Sequence, residues 1–259
     1  MIYLVRPPVE ESLQDIALRE RYVTWRAKKT AGLVPGSSKI ASRWDQFVIG
    51  RGAAKDIGPD VLAAVREWQH HKCAWCESVA AHTFDHVEPK ARVPTRMFDW
   101  DNLFACCEHC NNARSHHDVP IAHLIVPTRD EPLKHFRWDP KTGACIFDPD
   151  DARARDTEHA LTLSRYQAER LHKLSNFRYY LARLLDPEAP PAETLERLKA
   201  ELGAERPYLC ILRSWLLHPR TEDDRALRDR AFAKEPILLD WVRPWLYPWE
   251  GAEWPPNPG

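Results

Sequence analysis

Apolar positions along the chain fall mostly at helical spacing and only briefly into alternating runs. Leu13, Ile16, Ala17, Tyr22, Val23 and Trp25 recur at three- and four-residue steps. They predict a helix reaching about Lys29, opened by Ser12 and Asp15 in a pattern resembling a capping box. Before it, residues 2–5 read as a short β-like run stopped by Pro7-Pro8, and after it residues 30–42 read as a loop. Trp44 and Phe47 tack the next short segment onto something apolar. Pro59 suits the first turn of a helix whose stripe is Val61, Leu62, Val65 and Trp68, and which delivers the chain to His70-His71-Lys72 and Cys73.

Residues 119–150 are rich in Pro and Asp, with two β-like pieces at 136–138 and 144–147 joined through Lys141-Thr142-Gly143 as a hairpin turn. From Asp156 onward the pattern is helical. Leu161 and Leu163 end a first helix, and Ser164 is placed to cap a second bearing Leu171, Leu174, Phe177, Tyr180, Leu181 and Leu184. Further helices are expected at 192–202, closed by Gly203, and around 208–217, 223–233 and 237–246. The organisation predicted is a mostly α-helical α+β chain: an N-terminal helical segment (1–57), a small module (58–118), a mostly helical C-terminal region (119–248) and an extended tail (249–259).

Composition changes this picture in three ways. With 259 residues, 44% hydrophobic and 29% charged, the chain has the makings of a sizeable core and is not of the disordered class. A formal net charge of -1 gives no global attraction for nucleic acid, so any such role rests on local basic patches or on a partner. Seven cysteines, an odd number, argue against a disulfide framework and for paired metal-ligand motifs. No run of eighteen apolar residues occurs, and the opening MIYLVRPPVEES has neither a basic leader nor a long apolar segment, so a cytoplasmic location is expected. The 11 tryptophans are spread along the chain, as core or interface anchors would be.

The chemistry concentrates between Cys73 and His117. Cys73 and Cys76 form one Cys-x-x-Cys pair, Cys107 and Cys110 a second. Redox Cys-x-x-Cys motifs sit singly, near a βαβ pattern. Two pairs separated by a chain that bends back through Pro89 and Pro94 instead predict one closed, structural four-thiolate Zn²⁺ site. Cys106 lacks the spacing and reads as a bystander. Between the pairs lie Asp85-His86 and Asn102, and Asn111 follows directly. Phosphodiester hydrolysis needs an activated water and a cation near the leaving oxygen. Asp85 and His86 offer both, although strand neighbours point to opposite faces and converge only where the strand is twisted or bulged. Asn102 and Asn111 are hard oxygen donors, suited to Mg²⁺ or to fixing a loop. Taken singly, an Asp-His pair is an ordinary surface or core pair, and an Asn before Leu an ordinary cap. Their coincidence in one clamp is what points to a site.

This order of residues resembles the HNH endonuclease family, with its ββα-metal fold. The family pattern is Cys-x-x-Cys, Asp-His on the first strand, Asn-Leu after a loop, then Cys-x-x-Cys followed at once by His or Asn. It falls here on Cys73/Cys76, Asp85-His86, Asn102-Leu103, Cys107/Cys110 and Asn111. The resemblance implies that His86 is the general base and that Asp85 and Asn111 hold one catalytic Mg²⁺ or Mn²⁺. It implies too that Asn102 braces the loop and orients His86, and that Arg114, with a weaker claim for Lys90 and Arg92, meets phosphate. Asn111 stands where many members carry His, and the glycine pair of the connecting loop is replaced by Val93-Pro94-Thr95-Arg96-Met97-Phe98.

A wider resemblance, carried by Arg6-Pro7-Pro8, Trp44-Asp45-Gln46-Phe47, Pro89-Lys90, Trp100-Asp101-Asn102-Leu103 and the helical stretch 157–171, is to the HNH subunits of Septu-type and retron-associated anti-phage systems. It implies DNA as substrate and an ATPase protein partner, docked on the N-terminal segment and the C-terminal helices. Two other readings stay open on the sequence. One is a non-catalytic zinc module that binds nucleic acid or protein, which has no reason to keep Asp85, His86 and Asn111 together. The other is a stand-alone restriction-like endonuclease, which the near-neutral charge disfavours.

Overall fold

The computed structural model describes residues 4, 6–55, 57–117 and 119–246. The chain divides into two compact units, one of Leu4–Ala74 and Ser78–Ala122, the other of Trp75–Glu77 with the chain from His123 onward. Within the described residues, no helix is long and apolar enough to cross a membrane.

The first unit contains α1 (Val9–Ser12), α2 (Ile16–Thr30), α3 (Lys39–Ile49), α4 (Gly58–Trp68), β1 (Thr83–His86), β2 (Leu103–Cys106) and α5 (Glu108–His116). The strand expected over 2–5 lies almost wholly outside the described residues. Asp15, not Ser12, caps α2: its carboxylate accepts the Leu18 N–H at 3.1 Å, while Ser12 ends α1. Both residue types favour caps, and the extended backbone at 15 decides between them. The segment carrying Trp44 is a full helix, α3, which ends on Gly50 in the left-handed conformation (φ 70°). Gly58, opening α4, lies so close to the Phe47 carbonyl that a Cβ would stand 1.8 Å from its oxygen. Only glycine allows α3 and α4 to meet there.

The apolar stripes close on one core. Tyr22, Trp25, Phe47, Val61, Val65, Met97, Phe98 and Leu103 are buried together. Trp25 stacks on Phe47 at 5.1 Å and meets Phe98 edge-on at 4.7 Å, while the Tyr22 hydroxyl donates to the Phe98 carbonyl. The N-terminal helices therefore share their interior with the Cys-rich module. Arg6 joins it too, donating to the Trp100 and Leu103 carbonyls with its guanidinium over the Trp68 and Phe104 rings.

β1 and β2 pair antiparallel, with Asp85 opposite Phe104 and His86 opposite Leu103. Two strands alone are marginal. Gln69, at the end of α4 and only 1% exposed, supports β2 by donating to the Ala105 carbonyl (3.0 Å) and accepting the Ala105 N–H (2.9 Å). His70 and His71 then turn the chain through two left-handed residues (φ 53° and 58°) to reach Cys73.

The second unit holds the hairpin β3 (Phe136–Trp138) and β4 (Cys145–Phe147), turned at Gly143 with φ 69°, as expected. Its helices are α6 (Ala152–Leu161), α7 (Gln167–Leu185), α8 (Pro191–Leu202), α9 (Leu209–Leu217), α10 (Glu222–Lys234) and α11 (Ile237–Leu246). α6 starts at Ala152, earlier than expected, because Asp151 accepts the Ala154 N–H. Ser164 does not cap α7: it lies in a 3₁₀ turn, and its hydroxyl accepts the Cys145 N–H at 3.2 Å. α7 and α9 are locked by Leu174, Phe177, Leu181 and Trp215, with the Phe177 and Trp215 rings meeting edge-on at 5.9 Å. Fully buried Arg213 is satisfied by a two-pronged pair with Glu131 at 2.8 and 2.9 Å. Glu77 accepts the Cys210 N–H at the start of α9 (3.0 Å). The tail expected at 249–259 lies outside the described residues. The observed architecture is the mostly helical α+β one that the periodicity predicts.

Candidate metal and active site

The sulfurs of Cys73, Cys76, Cys107 and Cys110 all lie within 4.8 Å of one another and all four residues are buried. A tetrahedral ion with Zn–S bonds of about 2.3 Å places its sulfurs ~3.8 Å apart, so the donor set fits Zn²⁺ in number, softness and spacing. Cys107 does double duty, its sulfur accepting the Cys110 N–H at 3.4 Å as the cap of α5. Cys106 lies close by, Sγ to Sγ 3.8 Å from Cys73, and burial pushes its thiol well above the ordinary range. No histidine joins the cluster among the described residues.

β1 ends at His86, and the two side chains that strand alternation would separate meet at one cleft. The Asp85 carboxylate turns along the strand, Oδ1 accepting the His86 N–H at 2.8 Å, and Arg114 Nε approaches Oδ2 at 3.4 Å. Arg114 also donates to the His86 and Val87 carbonyls at 3.4 and 3.2 Å, tying α5 to the strand end. His86 is 4% exposed, with Nε2 2.9 Å from the Met97 carbonyl. A carbonyl only accepts, so Nε2 carries the proton. Burial, aided by the nearby charges of Lys90 and Arg114, lowers the imidazole pKa to about 3. The ring is therefore neutral near pH 7, and Nδ1 holds a lone pair.

Asn102 is fully buried and its amide is spent on the connecting loop: Oδ1 accepts the Glu88 N–H (2.6 Å), and Nδ2 donates to the Glu88 and Arg96 carbonyls, both at 3.0 Å. The loop holds no glycine pair and does without one. Pro94–Arg96 forms a 3₁₀ turn, Arg96 pairs with Glu88 and Asp99, and Met97 and Phe98 are wholly buried. That turn presents the Met97 carbonyl to His86. Asn102→Ala should leave three partly buried backbone groups without this partner and lower stability by about 3 kcal/mol, at the low end of the usual cost, ~1 kcal/mol each. Urea unfolding would measure this, and a loss under ~1 kcal/mol would show that the loop stands without the amide.

A cleft of about 630 Å³ brings Asp85, His86, Asn111 and Arg114 together with Lys90 and Arg92. Asn111 is half-buried, on the first turns of α5. The Arg114 side chain is only 6% exposed and faces inward, whereas Arg92 is exposed. Lys90 sits with its ammonium 5.7 Å over the Trp44 ring, its pKa lowered by burial against the opposing pull of Asp85 and Asp45. The lining also includes Gly36, Ser37, Ser38, Ile40, Ala41 and Trp44. Sequence reasoning placed Trp44 as a tack for its own segment and missed its place beside His86. It missed Gln69 and Met97 as well. Ile40, Ala41 and Trp44 share one helical face, but residues 30–42 read as loop hid that signal.

The family model for HNH endonuclease matches residues 71–117 of this chain. Septu protein PtuB of Bacillus thuringiensis is 30% identical over 84 residues, which is 30% of this chain and 33% of that protein. The match thus spans about a third of the length of this curated relative. Both findings bear out the resemblance carried by the Cys, Asp-His and Asn spacing.

Proposed function

We propose that the chain is a metal-dependent HNH endonuclease that hydrolyses DNA phosphodiesters, acting as the effector nuclease of a cytoplasmic anti-phage complex controlled by an ATPase partner. The observation that carries the nuclease reading is His86: neutral, with Nε2 committed to Met97 and Nδ1 unprotonated, in one cleft with Asp85 and Asn111. His86 Nδ1 takes a proton from the attacking water as its oxygen bonds to phosphorus. The bond from phosphorus to the 3′ oxygen breaks, and that oxygen leaves. Asp85 and Asn111 would hold Mg²⁺ or Mn²⁺, which when bound would supply positive charge for the departing oxygen. Asn102 fixes the loop, and Arg114 holds the strand end carrying Asp85. Lys90 and Arg92 attract the phosphate backbone. Cys73, Cys76, Cys107 and Cys110 hold a structural Zn²⁺.

The defence setting is supported by the similarity to Septu protein PtuB. Docking of the ATPase on the N-terminal segment is supported by exposed Ile16 and Val23, seven residues apart on α2. Zinc-loaded protein treated with a chelator too weak to strip zinc is expected to leave plasmid DNA intact, and to cut it once Mg²⁺ or Mn²⁺ is added. Unaltered cutting without added ion would remove the second metal from the mechanism. Co-purification with an ATP-hydrolysing subunit tests the partner, and a chain that purifies alone from its native host counts against it.

A further inference from the structure

Helix α3 lies outside the matched residues 71–117, yet its Trp44 reaches the proposed base. The indole and imidazole centroids are 4.5 Å apart, inclined at 66°, an edge-to-face contact. Trp44 is itself fixed by Phe47 at 5.7 Å and by Phe98 at 6.3 Å, the latter nearly parallel at 22°. Phe98 follows Met97, whose carbonyl holds Nε2. Two independent contacts thus bear on the His86 ring: a hydrogen bond that fixes one nitrogen, and an aromatic wall that limits rotation about it. A single hydrogen bond leaves the plane of a ring free to swing, and the second contact removes that freedom.

We infer that Trp44 is a positioning residue for the reaction, holding the His86 imidazole in the orientation that presents Nδ1 to the attacking water. This rests on the nuclease reading above. The same indole has Lys90 over its ring, so removing it disturbs a cation as well as the base. The two effects separate in kinetics. A misaimed base slows the chemical step, whereas a misplaced lysine weakens substrate binding.

The test compares full-length wild type, Trp44→Leu, Trp44→Met, Trp44→Phe and Lys90→Gln by single-turnover cleavage of a DNA duplex with Mg²⁺ at saturating and limiting protein. Trp44→Leu is expected to lower the saturating rate by about 10- to 100-fold, as a misplaced catalytic group does. Trp44→Phe, which keeps an aromatic wall, should recover most of that loss. Lys90→Gln should act mainly on the concentration needed for saturation. If Trp44→Leu does not fold, Trp44→Met, unbranched and better able to fill an irregular gap, takes its place. In wild-type protein with labelled His and Trp, nuclear Overhauser contacts are expected between indole and imidazole protons assigned through their loss in His86→Ala. Absence of those contacts overturns the inference whatever the variants do. So does a Trp44→Leu enzyme whose saturating rate matches wild type, or whose loss Phe fails to restore. A wild type that cuts no DNA with Mg²⁺ or Mn²⁺ refutes the nuclease reading instead, and is told apart by the contacts persisting.

Discussion

His86→Ala is expected to reduce DNA cleavage by about 10²- to 10⁴-fold, the range a positioned general base contributes. The effect should be large because nothing else on the cleft wall can take its place. Lys90 and Arg92 are cations, Arg114 is turned onto the strand backbone, and Asp85 is engaged by the His86 N–H and by Arg114. With its pKa near 3, the imidazole is already in the accepting form at neutral pH and awaits no deprotonation. Losing a buried ring also opens a void beside Trp44 and strips the Met97 carbonyl of its donor, so some stability will go with it. His86→Asn, smaller but polar, separates the two. Both variants should keep their metal content and a cooperative melt while losing cleavage. A folded His86→Ala protein cutting within about threefold of wild type would remove the base from the mechanism.

Cys73→Ser is expected to release the structural ion and unfold the module. In small zinc domains metal binding contributes roughly 10–16 kcal/mol of apparent free energy that is also folding free energy. The local structure gives little to replace it. Next to the cysteines the chain offers only a two-stranded sheet and a nine-residue helix, and α5 takes its cap from Cys107 itself. Cys106→Ser is the matched control: its sulfur lies beside Cys73 yet outside the cluster, and that variant should keep the ion. Elemental analysis with a thermal melt reads both. Retained zinc and an unchanged melt in Cys73→Ser would refute the four-thiolate site.

Why some of this was legible in the sequence and some was not comes down to distance along the chain. A Cys-x-x-Cys pair is a complete local statement, since two residues of intervening chain suffice to place both sulfurs on one ion. The same holds for the 58–68 helix, whose Pro59 and apolar stripe need no tertiary context. Asp85 and His86 were harder. The two-residue repeat of a strand sends them apart, and only the end of β1 at His86 with the Asp85 hydrogen bond along the chain brings them together. Ser12 and Ser164 have the right chemistry for caps, but Asp15 caps α2 and the Ser164 hydroxyl is taken by the Cys145 N–H. The loop at 93–98 lacked the family's glycines, and its solution, Arg96 clamped between Glu88 and Asp99, uses charges that carry no local turn signal.

The shared interior of α2, α3 and the Cys-rich module bears on how this module can be moved between proteins. A cassette trimmed to the edges of the recognisable motif would arrive with Phe98 stripped of Trp25 and Phe47, with Trp100 and Leu103 missing the Arg6 cap on their carbonyls, and with no wall beside His86. It would carry every signature residue and lack the scaffold that aims them. The heritable unit of this chemistry is therefore longer than its signature, and a chimera that borrows it must take the preceding helices along.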